Sequence, residues 1–225
     1  MSPPVGPAGI VECSGDEPSS RQAAQGPRRY RVSAGYSIFA TELTFDGASD
    51  AFIERRAATA ALGYRYSDTI SLQAGLGATL GGRFDFGTEH FSFDPGWIAS
   101  ASGTWKAAGT KRGDAFLLVG ASISASGAET KDAAGHKDSM YAFDVRASVV
   151  AGKTFFDVLS PFAVVRAFGG PLLWRLRGTD MIAGDRYHFQ IGAGLLVALP
   201  DHFDVFTEIV PLGERAAALG LGYSF

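Results

Sequence analysis

The segment Ala216–Phe225 reads A-A-A-L-G-L-G-Y-S-F, and it indicates the fold of the whole chain. Large apolar residues alternate in it with very small ones: Leu219, Leu221, Tyr223 and Phe225 against Gly220, Gly222 and Ser224. A period of two residues predicts a β-strand with one apolar face and one face of small residues.

The same alternation recurs through the rest of the chain. Nine further segments show it, at about residues 30–45, 52–66, 69–82, 96–106, 114–126, 140–153, 161–176, 186–199 and 203–211. Ten segments predict an all-β, antiparallel, up-and-down arrangement. The connections between them alternate between short turns and longer polar loops, which is typical of a transmembrane β-barrel.

An aromatic residue at the end of an alternating strand resembles the closing strand of bacterial outer-membrane β-barrels. In that family the terminal aromatic is the signal read by the barrel-assembly machinery, and the resemblance implies this role for Tyr223 and Phe225. It also implies contact with outer-membrane lipid and a location in the bacterial outer membrane. We therefore expect a ten-stranded barrel, with eight strands as the alternative if the first two or the last two segments are misassigned.

Composition excludes several classes of protein. The net charge is −3 and no basic run is present, which argues against nucleic acid as a partner. No apolar run reaches the roughly 18 residues of a transmembrane helix. The single cysteine, Cys13, excludes an internal disulfide and a thiolate metal cluster. The histidines show no metal-ligand spacing and no nucleotide-binding motif is present, so we expect no metal and no cofactor.

Two regions are predicted. Residues 1–27 are rich in Pro, Gly and Ser, and we expect a disordered tail. Residues 28–225 should form the barrel. The sequence shows no charged segment followed by an apolar one, so the export signal that an outer-membrane protein requires is not visible in it.

The non-apolar face of the segments consists mainly of Gly, Ser and Ala, while the lysines lie in connections or at strand ends. Small residues fit a narrow, packed lumen, with the apolar face toward lipid. The alternative is a soluble, lipocalin-like barrel that carries an apolar ligand. Trp97 and Trp105 share a face, roughly 20 Å apart along the barrel axis, and with Tyr64 and Tyr66 they predict an aromatic girdle.

Four charged residues are predicted to point into the lumen: Asp144, Arg146, Arg166 and Glu208. They must pair, because an unpaired buried charge costs several kcal/mol, and the expected pairing is Arg166 with Glu208. This network predicts a plugged, non-enzymatic envelope or surface-binding protein. The alternative is an enzyme at the barrel mouth. His188 is predicted to point into the lumen near the outer mouth, with Asp180 and Asp185 in the loop before it, and this arrangement resembles the omptin proteases, although their further motifs are not matched.

One hairpin extends the alternation beyond the membrane. From Gly82 the pattern continues to a tip at residues 87–90 and returns to the fourth segment. It predicts a ribbon that presents four phenylalanines on one face: Phe84, Phe86, Phe91 and Phe93. An exposed aromatic stripe is a candidate partner surface, for a partner that the sequence does not identify.

Overall fold

The computed structural model describes residues 28–45, 49–109 and 115–225, most of which lie in β-strands. The strands are β1 (Tyr30–Phe45), β2 (Ser49–Arg65), β3 (Ile70–Phe86), β4 (Glu89–Phe93), β5 (Gly96–Ala108), β6 (Ala115–Lys131), β7 (Lys137–Lys153), β8 (Leu159–Gly169), β9 (Leu172–Leu176), β10 (Thr179–Asp185), β11 (Phe189–Ala198), β12 (Phe203–Leu212) and β13 (Arg215–Ser224). No helix in these ranges is long and apolar enough to cross a membrane. The predicted disordered tail and Cys13 lie outside the described residues.

The antiparallel sheet closes on itself because the last strand pairs with the first. β1 is hydrogen-bonded to β2 on one side and to β13 on the other, with Val32 opposite Tyr223. Beyond β13, Phe225 exchanges two backbone hydrogen bonds with Tyr30, of 2.9 and 3.1 Å. Through the described part of the chain, the closed path runs along ten strands: β1, β2, β3, β5, β6, β7, β8, β11, β12 and β13.

Within the described residues the sheet has 13 strands, compared with the ten segments that the sequence predicts. The additional strands are β4, β9 and β10, and they lie at one end of the ring, which we name the outer end. β4 forms a hairpin with β3, whereas β9 and β10 form a hairpin that joins β7 to β1. Of these strands, β4 corresponds to the return strand of the predicted ribbon and β9 lies within the predicted segment 161–176, whereas β10 lies in a stretch predicted as a polar loop. The opposite end, with Phe225 and the turn after β2, is the inner end.

The apolar face of the ring strands points outward. Leu76 is 71% exposed, Val145 61% and Leu221 56%, although all three lie in the middle of long strands. A soluble barrel buries its apolar face and exposes the other one. The structure has the opposite arrangement, which agrees with the predicted orientation of the faces and argues against the lipocalin-like alternative.

Side chains fill the ring at three levels. At the inner end they form an inner apolar cluster, Phe116, Leu118, Val150, Phe162, Val164, Leu196 and Phe206. Charged residues occupy the middle level. At the outer end a second group forms the outer apolar cluster, Phe39, Leu43, Phe45, Ala51, Ile53, Phe84, Phe91, Phe93, Met140, Ala142, Leu172, Trp174, Ala183, Val210 and Ala216. Among the described residues, buried side chains thus occupy the interior at all three levels.

Trp174 is the centre of the outer apolar cluster. Its ring lies 4.7 Å from that of Phe84, 5.1 Å from Phe91, 5.6 Å from Phe86 and 5.8 Å from Phe45, in edge-on arrangements. Such arrangements suit the quadrupoles of aromatic rings. The buried indole Nε1 donates a hydrogen bond to Thr130 Oγ1 at 3.0 Å, so its polar atom is satisfied.

The predicted aromatic partner surface is wrong. The ribbon exists as the β3–β4 hairpin, but Phe84, Phe91 and Phe93 are at most 5% exposed and Phe86 is half-buried. The physical reason is a β-bulge in β3, which inserts one extra residue opposite Arg56 and Ala57. Even-numbered residues face outward as far as Leu80 and inward from Phe84 onward. Such an insertion exchanges the two faces of a strand.

The turn back into the ring reverses the faces again. Phe91 and Phe93 point inward, whereas Trp97 points outward at 49% exposure, although all three are odd-numbered. Asp94 and Pro95 interrupt the strand between them. Proline has no backbone N–H to donate, and it commonly ends a ladder.

At the outer end the sheet has the polarity of a soluble protein. Its inward face is the outer apolar cluster, whereas its outward face carries charged residues, among them Glu42, Arg83, Arg175 and Arg186. Below this level the outward face is apolar. The same strands therefore have apolar side chains on their outward face within the apolar band, and on their inward face at the outer end.

A charge placed on the apolar band tests whether that band faces lipid. We expect Leu76→Arg to lower the free energy of unfolding in lipid bilayers by about 2–4 kcal/mol, because arginine is costly near the bilayer midplane. Leu80→Arg, on the same strand beside the outward Arg56, should cost only about 0–1 kcal/mol. Urea titrations in vesicles measure both, and equal effects of the two substitutions would contradict a lipid-facing band.

Candidate functional site

The middle level of the lumen contains the predicted pair of Arg166 and Glu208. Arg166 is on β8 and Glu208 on β12, and both side chains point inward. The guanidinium donates from Nη1 to Oε1 at 2.6 Å and from Nη2 to Oε2 at 2.8 Å. The Glu208 side chain is 1% exposed and that of Arg166 is 11% exposed. A buried, two-point contact of this kind satisfies both ions and fixes their relative orientation.

A second group of charges surrounds Arg146. Its Nε donates to Asp144 Oδ2 at 2.5 Å, and its Nη2 donates to Glu214 Oε2 at 3.1 Å. Gln190 Oε1 lies 3.5 Å from Nη1 of Arg146 and 3.5 Å from Nη1 of Arg166. The amide therefore bridges the two groups, and the four predicted residues belong to one network with Gln190 and Glu214.

Another ion pair lies nearer the inner end. Arg31 Nη2 lies 2.5 Å from Asp204 Oδ1, and its Nε donates to Asp204 Oδ2 at 3.2 Å. The two residues are on β1 and β12, on either side of β13. Gly222 lies between them, and a Cβ at that position would clash with both side chains. The small face of β13 thus makes room for a buried ion pair.

Alternation does not predict an orientation for Glu214, because this residue lies outside the strands, in the turn between β12 and β13. Gly213, beside it, has a φ of +84°, a conformation that favours glycine. The turn directs the Glu214 carboxylate inward, where it is fully buried. Gln190 was recognisable from alternation, because it lies on the polar face of its strand with Gly192 and Gly194.

The predicted girdle residues lie on the outer surface. Trp105 is opposite Ile70 near the inner end, whereas Trp97 is opposite Ala78 toward the outer end. Tyr66 is 66% exposed. Tyr64 packs on Tyr30 with 5.3 Å between ring centroids.

This contact begins an aromatic row at the inner end. Tyr30 stacks on Phe225 at 5.9 Å, Phe225 on Tyr223 at 6.1 Å, and Tyr223 lies 4.9 Å from Phe203. The two predicted assembly-signal residues, Tyr223 and Phe225, thus face outward within this row.

The expected position of His188 in the lumen is wrong. The residue is exposed in the connection between β10 and β11, where its Nδ1 lies 3.3 Å from the carbonyl oxygen of Phe168. Asp185 is buried inside the ring, while Asp180 is exposed and pairs with Arg175. The two aspartates therefore occupy different environments, and the structure does not assemble the predicted group around His188.

Charges at the outer rim form their own pairs. Lys137 Nζ lies 2.5 Å from Asp94 Oδ2 and 3.0 Å from Glu129 Oε2. Its hydrogen bond lowers the pKa of the Asp94 carboxyl, and the two carboxylates raise the pKa of Lys137. Two histidines each contact an aspartate, His90 with Asp85 at 2.7 Å and His136 with Asp132 at 3.1 Å. No group of His, Cys, Asp and Glu in the described ranges is arranged to hold a metal ion.

No protein-family model matches the chain, and no curated protein sequence matches it. The structure is similar to the translocator domain of the autotransporter NalP from Neisseria meningitidis, with a TM-score of 0.51 and 11% identity over 92% of each chain. It is also similar to the outer membrane protease OmpT from Escherichia coli, with a TM-score of 0.56 and 8% identity over 89% of this chain and 98% of that one. The chain therefore has the fold of bacterial outer-membrane β-barrels, which confirms the resemblance seen in the sequence and supports the predicted location.

The contribution of the middle-level network can be measured with a double-mutant cycle. We expect Arg166→Ala to destabilise the protein by about 3–5 kcal/mol, because Glu208 is then left buried and unpaired. Adding Glu208→Ala should recover part of this loss. Arg31→Ala combined with Arg166→Ala provides the control, since these residues belong to different ion pairs and their effects should add. Additive losses for Arg166 and Glu208 themselves would show that the two do not interact.

Proposed function

We propose that the chain is a ten-stranded transmembrane β-barrel of the bacterial outer membrane, plugged by its own side chains, which acts as a non-enzymatic envelope or surface-binding protein. The observation that carries this proposal is the filled lumen. The charge network lies between two apolar clusters, so that each level of the ring is occupied by packed side chains. Barrels of this size have interiors that side chains can fill, whereas open aqueous channels belong to barrels of about 16 strands.

Three features support membrane insertion. The outward face of the ring strands is apolar over its middle part, aromatic residues lie at both ends of that band, and in the described part of the chain each of the ten ring strands pairs with a neighbour on both sides. A spanning sheet needs this closure, because hydrocarbon offers no partners for backbone polar groups. Outer-membrane lipid is therefore the first proposed partner.

The second proposed partner is the barrel-assembly machinery, acting through β13. The outward row of Tyr223 and Phe225 lies on the strand that closes the ring. A factor that recognises this strand before closure would contact the side chains that later face lipid.

The surface-binding role is proposed for the outer end. The long strands form this end where they extend beyond the apolar band. Its outward face presents ion pairs such as Arg177 with Glu89 at 3.1 Å and Arg186 with Asp50 at 2.9 Å. The apolar cluster inside gives this region a rigid core. A polar partner would thus meet a stable, charged surface rather than an aromatic stripe.

An enzyme at the rim is the second candidate, because OmpT is a protease and two aspartate–histidine pairs are present here. The imidazoles of His90, on β4, and His136, in the connection between β6 and β7, are 77% and 75% exposed. Catalytic groups are generally held in concave, partly desolvated sites. This exposure favours the non-enzymatic role. Peptide hydrolysis by the parent that disappears in Asp85→Asn or Asp132→Asn would instead establish the enzyme.

Conductance measurements test the plug. In planar bilayers, we expect the protein to insert without producing a stable conductance step, because packed side chains of the described residues occupy each level of the lumen. A 16-stranded porin in the same bilayers is the positive control. Heat-modifiable gel mobility of the same preparation establishes that the inserted protein is folded. A reproducible conductance step from folded protein would contradict the plugged barrel.

Substitution at the end of β13 tests the assembly role. We expect Phe225→Asp to lower the amount of protein inserted in the outer membrane of cells, while the purified variant refolds in detergent as the parent does. Phe203→Asp is the matched control, since Phe203 belongs to the same aromatic row but to β12. Unchanged insertion of Phe225→Asp, or equal loss in both variants, would contradict a specific signal.

A further inference from the structure

Two arginines face outward at the outer edge of the apolar band. Arg56 is on β2 and Arg215 is on β13, and both are exposed, whereas the residues that adjoin each of them in the chain are buried. Arg56 lies opposite Ile38 and Arg215 lies opposite Ala40, so the two arginines flank β1. Barrel strands are tilted by roughly 35–45°, and at that tilt the two-residue offset across β1 places both arginines at about the same height.

The neighbouring outward positions at this height are apolar. Leu80 on β3 is exposed beside Arg56, and Ile38 is exposed on the strand between the two arginines. Trp97, of the predicted girdle, is exposed at the same outer edge of the band. The two arginines are therefore cations at the line where the apolar outward face ends. In a bilayer this line coincides with the lipid headgroups.

The protein supplies no counter-charge for this pair. Among the described residues, no carboxylate lies within ion-pairing distance of either arginine. The next outward positions away from the band are Glu54 on β2 and Glu42 on β1, and Glu42 already binds Arg186 at 3.1 Å. Outward arginines farther from the band do have partners, such as Arg83, whose Nε lies 3.0 Å from Asp85 Oδ2. Pairing with carboxylates thus distinguishes the polar outer end from the edge of the band.

We propose that Arg56 and Arg215 bind the phosphate headgroup of a lipid in the outer leaflet, whose acyl chains pack on the apolar band. The proposal rests on the membrane insertion proposed above, and it adds the headgroup chemistry and the residues. A guanidinium can donate two parallel hydrogen bonds to phosphate oxygens. Given the strand spacing and the rise per residue, the two Cα atoms are about 12 Å apart, a span that two long side chains and one headgroup can fill.

The surface between and below the arginines suits this occupant. Ala40, between them, is small and leaves room for a headgroup. Ile38 and Tyr36 continue the outward face of β1 into the apolar band, where acyl chains would lie. A soluble anion would use the charges and leave the apolar surface uncovered. A phosphorylated lipid complements both, because it combines an anionic group with hydrocarbon in the order that the surface presents.

Urea unfolding of the full chain in vesicles tests the proposal. The protein is folded into phosphatidylcholine vesicles, and into vesicles in which part of this lipid is replaced by phosphatidic acid. The folding constant of the parent should be higher with phosphatidic acid. Arg56→Gln and Arg215→Gln should each reduce this rise about fivefold, because one basic residue near an anionic membrane surface contributes about 1 kcal/mol. Arg175→Gln is the matched control, since this exposed arginine lies beyond the band and pairs with Asp180, and it should respond as the parent does.

A rise that persists in the double variant of Arg56 and Arg215, or that falls equally in Arg175→Gln, would overturn the proposal. Inorganic phosphate and soluble polyglutamate are added to the phosphatidylcholine vesicles as further probes. An equal rise with either of them would assign the arginines to a soluble anion or an acidic protein and would reject the lipid. Heat-modifiable gel mobility separates the two levels of the argument. Folded insertion without dependence on the headgroup rejects this site alone, whereas failure to insert in any vesicle contradicts the membrane barrel and this site with it.

Discussion

The pairing of β13 with β1 is the constraint on which the rest of the structure depends. It converts an open sheet into a ring in which each of the ten strands has neighbours on both sides. In a bilayer each unpaired backbone group costs several kcal/mol, so an open edge could not be tolerated. Closure also fixes a narrow interior. Gly220 and Gly222 leave space on β13 for the Phe206 ring and for the ion pair between Arg31 and Asp204.

The ring changes character along its axis while its strands remain continuous. Over the apolar band, large side chains face outward and the interior combines small residues, the inner apolar cluster and the charge network. Toward the outer end the outward face becomes charged and the interior becomes the outer apolar cluster. This exchange explains how a barrel can extend beyond a membrane without losing its core. It also means that the phenylalanines of the β3–β4 hairpin stabilise the protein from inside, so they are not available to a partner.

Alternation was sufficient to predict the ring strands and the direction of their faces. The segments from Ile70 to Leu80 and from Leu219 to Tyr223 carry that information locally, because side-chain direction in a strand has a period of two residues. The same rule placed Arg166 and Glu208 in the lumen. It could not pair Arg31 with Asp204, since that contact depends on closure between residues 173 positions apart.

The phenylalanines of the β3–β4 hairpin face inward for a physical reason that alternation does not capture. Odd- and even-numbered residues point to opposite faces only while a strand is regular. The bulge before Gly82 and the break at Pro95 each exchange the two faces. Glu214 lies in a turn, where strand alternation does not predict the direction of the side chain. The carboxylate nonetheless completes the network around Arg146. Irregular positions therefore determine both the outer core and part of the candidate site.

The three tryptophans of the chain permit a direct test of the change in polarity along the barrel. In single-tryptophan variants reconstituted into bilayers, brominated phospholipids should quench Trp97 and Trp105, which face outward at the two ends of the apolar band. Trp174, 1% exposed within the outer apolar cluster, should show blue-shifted emission and resist both brominated lipid and aqueous acrylamide. Efficient quenching of Trp174 by either agent, or resistance of Trp97 and Trp105 to brominated lipid, would contradict this account.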